Sequence, residues 1–222
     1  MKRVFQSFTF SLGVLAIFLS GCASDQDLKR VNREQAATIQ SLNSEISRLN
    51  QELDQLISSR EELSKAKAEL EKKLQDELAA GNLSVAMGER GLVVTVLDRI
   101  LFDSGKAELK ESAKTTLEKV ADILSQKVGQ HMIYVEGHTD NVPIRFSGWR
   151  SNWELSTSRA TEVIHYFAEG KGLNPQRLAA TGYGEYHPVA ENGSAEGRMK
   201  NRRMEIIISP RKMAVPMAQG AV

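Results

Sequence analysis

The chain has 222 residues, room for one ordinary domain plus extensions. Lys and Arg number 29 against 28 Asp and Glu, a formal net charge of +1, which argues against a nucleic-acid partner gripped by bulk electrostatics. Aromatics at 6% and charged residues at 26% suit one modest core joined to a long solvated helical part.

Met1, Lys2 and Arg3 form a short positive start, and residues 4–24 follow without a charge, densest in apolar residues at "SLGVLAIFL". A run of roughly 20 residues matches a membrane span in length. Gln6, Ser7, Thr9 and Ser11 make its first part polar for a stable span, and small residues close it. A basic start, an apolar stretch and a small-residue end read as a secretory signal. The one cysteine, Cys22, stands at that end and allows no disulfide within a monomer.

The tetrad Leu19-Ser20-Gly21-Cys22 closely resembles a bacterial lipoprotein lipobox. That resemblance implies a signal peptide over residues 1–21, a lipidated Cys22 as first mature residue, and a linker over 22–27. Ala23, not an aspartate, follows the cysteine, which by resemblance favours the outer membrane of a Gram-negative cell, with the chain facing the periplasm.

From Leu28 to Leu78 there is neither proline nor glycine. Ile39, Ile46, Leu53 and Leu74 fall at heptad position a, and Leu42, Leu49, Leu56, Leu63 and Leu70 at d. Arg60 and Lys67 fill the two remaining a positions. Isoleucine at a with leucine at d leans toward a parallel dimer, whereas the two basic residues weaken the seam and leave a trimer open. The pattern predicts a coiled-coil stalk over 28–80, a homo-oligomer, and a reach of roughly 75 Å. A single charged helix is the alternative; the absence of an interior turn signal argues against a hairpin. Gly81-Asn82 ends the helix.

Residues 84–209 alternate strand and helix. Strands are predicted over 91–98, 131–138, 177–184 and 202–209, and helices over 107–126 and 152–168, with Ser151 or Asn152 as N-cap of the second. The order predicts an α+β fold, a small two-layer βαβαββ sandwich with a mixed sheet. Residues 210–222 carry Pro210 and Pro216 with little pattern and read as a disordered tail.

The successive segments "LFDSGKAEL", "VEGHTDNVPI", "NWELSTSRATEV", "GYGEYHPVAEN" and "GRMKNRRMEIII" resemble the OmpA-like C-terminal domain family, in its MotB-like branch. The resemblance covers residues 90 to 209 and implies non-covalent binding of peptidoglycan. It further implies that Asp140 takes the ammonium, and Arg159 the carboxylate, at the free end of a diaminopimelate stem peptide. An arginine fork matches a carboxylate in two parallel hydrogen bonds. By the same resemblance Thr139, Asn152 and Leu155 line the pocket, and Phe102, Asp103 and Ser104 border it. Arg202 and Arg203 match the family's "NRR" element, as ligand contact or as sheet support. The segment "NVPIRFSGWRS" is longer than in short family members, a cover or a protein-contact loop.

On spacing alone, Asp140 and Arg159 read equally as a salt bridge between a turn and a helix. An enzyme is the first rival reading. His138 and Asp140 stand two apart, but the four histidines have no metal-motif spacing. Ser-x-x-Lys occurs at Ser64 and Ser209 without companion motifs, and Gly-x-Ser-x-Gly, P-loop and Cys-x-x-Cys motifs are absent. These features predict no enzyme and no cofactor. A stator or motor component is the second rival; it calls for an acidic residue in the membrane segment, and residues 4–24 contain none. An adaptor to a periplasmic machine is the third. The prediction is a lipoprotein tether between the outer membrane and the cell wall.

Overall fold

A computed structural model describes residues 2–145 and 148–209, with side chains from Asp25 onward. The lipobox at Cys22 and the tail 210–222 lie outside the described side chains, as do Phe146 and Ser147 in the segment 141–151, read as a cover or a protein-contact loop. The chain divides into two compact units, residues 1–55 and residues 56–222.

Helix α1 (Lys2–Lys73) supplies the first unit. Between Asp25 and Gln55 its surface carries ion pairs one turn apart, such as Lys29 to Asp25 at 2.5 Å and Arg48 to Glu45 at 2.6 Å. Pairs at this spacing support a helix by a few tenths of a kcal/mol each, about 0.2–0.5. Leu28, Ile39, Leu42, Ile46, Leu49 and Leu53 remain exposed along it.

The second unit begins with the end of the same helix, and here the heptad expectation is corrected. Leu63, Ala66, Leu70 and Leu74 belong to the hydrophobic core of this unit. Leucines at a and d spacing bury against whatever apolar surface meets them. In this part of the stripe, from Leu63 onward, that surface is the chain's own core. Helix α2 (Gln75–Ala79) follows, and the amides of Gly81 and Asn82 bond back to Leu78 and Glu77, closing the helix at the predicted glycine.

Five strands build one mixed sheet: β1 (Leu83–Gly88), β2 (Gly91–Leu97), β3 (Met132–His138), β4 (Leu178–Gly184) and β5 (Arg203–Ser209). Their order is β1-β2-β5-β3-β4, with β3 and β4 parallel and the other neighbours antiparallel. β1 was not predicted; Leu83 and Val85 alternate inward, but the run "LSVAMG" has few β-branched residues.

Leu92, Val94, Val96, Ile133, Val135, Ile206 and Ile208 bury one face of the sheet. On that side stand α4 (Glu111–Gln126), through Leu117, Val120 and Leu124, and α5 (Asn152–His165), through Ala160 and Val163. α4 starts four residues later than predicted. Phe102 pairs with Leu109 across the Gly105 turn (φ 71°), and the Lys110 amide bonds to the Leu101 carbonyl, so residues 102–110 form a loop. Two short helices were also unpredicted: α3 (Asp98–Leu101) and α6 (Ala195–Asn201). They have too few turns to show a periodic stripe. Asn201 is fully buried; its side-chain oxygen accepts from the Val189 and Ala190 amides, and its nitrogen donates to Ala190 and Asn192.

Candidate functional site

Two glycines set the position of α5. Gly137 on β3 and Gly182 on β4 are register partners. A Cβ at Gly137 would lie 2.2 Å from the Ser156 carbonyl oxygen, and one at Gly182 would lie 2.5 Å from the Thr157 amide nitrogen. The helix backbone therefore rests directly on the sheet. Ser151 caps it, accepting from the Glu154 amide. Ser156 Oγ accepts from the Gly184 amide, tying the helix to the end of β4. This seat brings the N-terminal half of α5 against the turn after β3.

Asp140 stands on that turn, buried at 6% exposure. Its Oδ1 accepts from the Val142 amide at 3.0 Å, and its Oδ2 pairs with Arg202 Nη1. Thr139 Oγ1 donates to the Asp140 carbonyl at 2.9 Å, and the Thr139 amide donates to the Gly184 carbonyl. Asn152 Nδ2 lies 3.3 Å from that same Asp140 carbonyl, 3.2 Å from the Val142 carbonyl and 2.7 Å from Glu185 Oε2. Thr139 and Asn152 thus hold the turn from its backbone and leave the Asp140 carboxylate to Val142 and Arg202.

Arg159 lies two turns along α5, at 3% exposure. Its partner is Asp98, not Asp140: Nη1 lies 3.0 Å from Asp98 Oδ1. The approach is at ion-pair distance but off-axis, and Asp98 Oδ1 has no hydrogen-bond partner among the described residues. Arg159 Nε donates to the Lys106 carbonyl at 2.8 Å and Nη2 to the Asp103 carbonyl at 3.2 Å. The Phe102 ring lies 5.1 Å from the guanidinium carbon. Asp103 therefore meets Arg159 through its backbone. Its carboxylate faces Lys110 at 3.3 Å and Lys106 at 3.9 Å. Leu155 is buried one turn before Arg159.

Burial raises the Asp98 carboxyl from its ordinary 3.8 to about 6, against the pull of Arg159 and Arg202. Burial lowers the Arg159 guanidinium, against Asp98 and Asp140. Asp98, Asp140, Arg159 and Arg202 thus share one field, two acids and two bases. Sequence reasoning missed Asp98. It closes the β-branched run "GLVVTVLD" as a lone carboxylate, which was the only signal available.

The "NRR" pair separates. Arg202 turns to Asp140, whereas Arg203 Nε donates to Glu205 Oε1 at 2.6 Å. The sheet face away from α5 holds Glu136, His138 and Glu205, whose ligand-type atoms lie within 4.8 Å of one another. Arg90 forks onto Glu136 at 2.6 and 2.8 Å, and Arg203 occupies Glu205. With both carboxylates compensated, this cluster reads as ion-paired sheet support rather than a metal centre. His138 stacks on Tyr183, its ring nitrogens have no hydrogen-bond partner among the described residues, and burial with the nearby Arg203 lowers it to about 3, a neutral imidazole. Trp149, without a predicted role, donates from Nε1 to the Gly105 carbonyl at 2.9 Å.

Residues 101–202 match the model of the OmpA family. Over 144 residues, 65% of this chain and 55% of the relative, the chain is 40% identical to Motility protein B of Bacillus subtilis (strain 168). It is 32% identical over 140 residues to the Probable lipoprotein YiaD of Escherichia coli (strain K12), covering 63% of this chain and 61% of that one. The chain thus spans a little over half the length of these relatives. The solved structure of the cell wall anchor of the T6SS from Pseudomonas aeruginosa is 35% identical with a TM-score of 0.57, covering 63% of this chain and 96% of that one.

Proposed function

We propose that this chain, whose globular unit is an OmpA-like peptidoglycan-binding domain, is a lipid-anchored, non-covalent tether between the outer membrane and the cell wall, gripping diaminopimelate stem peptides. The observation that carries the reading is the set of buried Asp98, Asp140 and Arg159 with the part-exposed Arg202, two negative and two positive charges. A zwitterion presents the two opposite charges that Asp140 and Arg159 each call for.

The ammonium of diaminopimelate goes to Asp140, in exchange for Arg202. Arg202 is the more exposed partner of that pair, its side chain at 41% against 8% for Asp140, so it is the group free to move. The ligand carboxylate goes to Arg159. Hydrogen bonds to the Lys106 and Asp103 carbonyls take two of the five N–H directions of the guanidinium, and Nη1 faces Asp98 without a hydrogen bond, which leaves N–H directions for the ligand. Thr139 and Asn152 act as positioning residues through the backbone of the turn, and Phe102 supports the guanidinium from below.

Lipid on Cys22 would supply the membrane end, in keeping with the relative named as a probable lipoprotein. The exposed stripe Ile39, Leu42, Ile46, Leu49 and Leu53 would pair with a second copy, and two heads on one coil would bind a polymer with avidity. A second reading, a peptidoglycan-anchored component of a membrane machine, is favoured by the likeness to Motility protein B.

The test is competition. Chain bound to diaminopimelate-type sacculi should be released by free meso-diaminopimelate and not by 1,5-diaminopentane at equal concentration, because that diamine has the ammonium groups but no carboxylate for Arg159. Release by both, or by neither, would overturn the assignment.

A further inference from the structure

Apart from Ile57 on α1, the described exposed large apolar side chains of the globular unit are Val142, Trp153, Tyr186 and Val189. Single exposed hydrophobics are ordinary on a protein surface. Three of these four are not scattered. Val142 follows Asp140 by two residues, and Trp153 and Tyr186 each directly follow a member of the bonded pair Asn152 and Glu185.

Trp153 and Tyr186 stack on each other, with ring centroids 5.1 Å apart and planes 23° apart. They are 46% and 61% exposed. Gly184, at φ 57°, brings the end of β4 close under Trp153: a Cβ there would lie 3.6 Å from the indole Cδ2. The pair is therefore built from below and ordered before any ligand arrives, which spares the cost of fixing two side chains on binding. Tyr186 keeps one face on Trp153 and turns the other to water.

We infer that the Trp153–Tyr186 stack is a platform for the pyranose ring of an N-acetylhexosamine, so that the domain holds the glycan strand as well as the stem peptide; the inference rests on the peptidoglycan reading above. A pyranose chair presents a patch of C–H bonds on one face and hydroxyls at its rim. It covers an aromatic ring while its polar groups stay in water, and the tyrosine hydroxyl offers a hydrogen bond at the edge. Size separates this occupant from a protein. The outer face of the stack offers the footprint of one sugar, whereas a stable protein interface takes about 800 Å² from each partner. Position completes the argument. Asn152 reaches the Asp140 carbonyl at 3.3 Å and Trp153 is its neighbour in the chain, which sets the platform beside the Asp140 turn.

The experiment measures binding of two soluble fragments to the full chain in detergent micelles by calorimetry. One is the diaminopimelate tetrapeptide freed from its sugars; the other is the same tetrapeptide on its N-acetylglucosamine–N-acetylmuramic acid disaccharide. Wild type should prefer the disaccharide form by about fivefold to tenfold, the scale of one aromatic stacking contact. The double variant Trp153→Leu with Tyr186→Ala should lose that preference and keep its affinity for the free peptide, and Tyr186→Phe should retain it. Equal affinity of wild type for the two fragments, or an undiminished preference in the double variant, overturns the platform. A wild type that binds neither fragment overturns the peptidoglycan reading itself, and the platform with it.

Discussion

Arg159 and Asp98 face each other at 3.0 Å inside the globular unit, and each is held away from its ordinary titration by burial. The Asp98 carboxyl at about 6 fixes a sign. Between pH ~4 and 6 the folded state keeps a proton on Asp98 that the unfolded state has lost, so stability falls as pH rises through that window. Two pKa units correspond to about 3 kcal/mol. Asp98→Asn removes this dependence. Its unfolding free energy minus that of wild type should rise by about 2–3 kcal/mol from pH 4 to pH 6 and be flat above. Urea titrations at half-unit pH steps read the difference; a flat profile across the window would show that Asp98 is not titrating there.

His138 has the opposite sign. Its folded value of about 3 lies below the ordinary 6.5, so its neutral form stabilises the protein above pH 6.5 and that contribution is lost as pH falls toward 3. Acid unfolding should therefore begin below pH 6.5, and His138→Gln should make it shallower. An acid transition of unchanged steepness would remove His138 from the account.

The glycine floor predicts a coupled loss. Gly137→Ala places a methyl 2.2 Å from the Ser156 carbonyl oxygen, and backbone must move. Overpacking of this kind costs about 1–3 kcal/mol. Because α5 carries both Asn152 and Arg159, affinity for sacculi should fall with stability. Gly193→Ala, with nothing within 4 Å of the added Cβ, is the control and should change neither.

The two halves of the heptad stripe should respond differently. Leu70→Ala opens a void in the core and should cost about 2–5 kcal/mol in thermal or urea unfolding. Leu49→Ala, on the exposed part, should leave that transition in place and weaken the self-association proposed above, read by sedimentation equilibrium. A head transition insensitive to Leu70→Ala would contradict the packing described here.

Much of this was legible in the chain. The run "GLVVTVLD", the strand "HMIYVEGH", a cap at Ser151 or Asn152 and the final strand were readable because β-branched density and capping chemistry are local signals. The fate of Leu63 and Leu70 was not, because heptad spacing records only that a stripe must be buried, and not which surface buries it. Asp140 and Arg159 were visible through their motifs, but their partners were not. Arg202 and Asp98 reach them across 62 and 61 residues of sequence, and pairings of that span depend on strand order. Asp103 shows the same limit in reverse: its side chain drew attention, and its carbonyl makes the contact.

The most direct test of the central claim is co-sedimentation of the full chain with diaminopimelate-type sacculi, comparing wild type with Asp140→Asn. The substitution keeps the shape of the side chain and removes the charge that would hold an ammonium, and circular dichroism checks that the fold is kept. Wild type should pellet with the sacculi while folded Asp140→Asn remains in the supernatant. A folded Asp140→Asn that pellets as completely as wild type would contradict the claim that Asp140 receives the ligand.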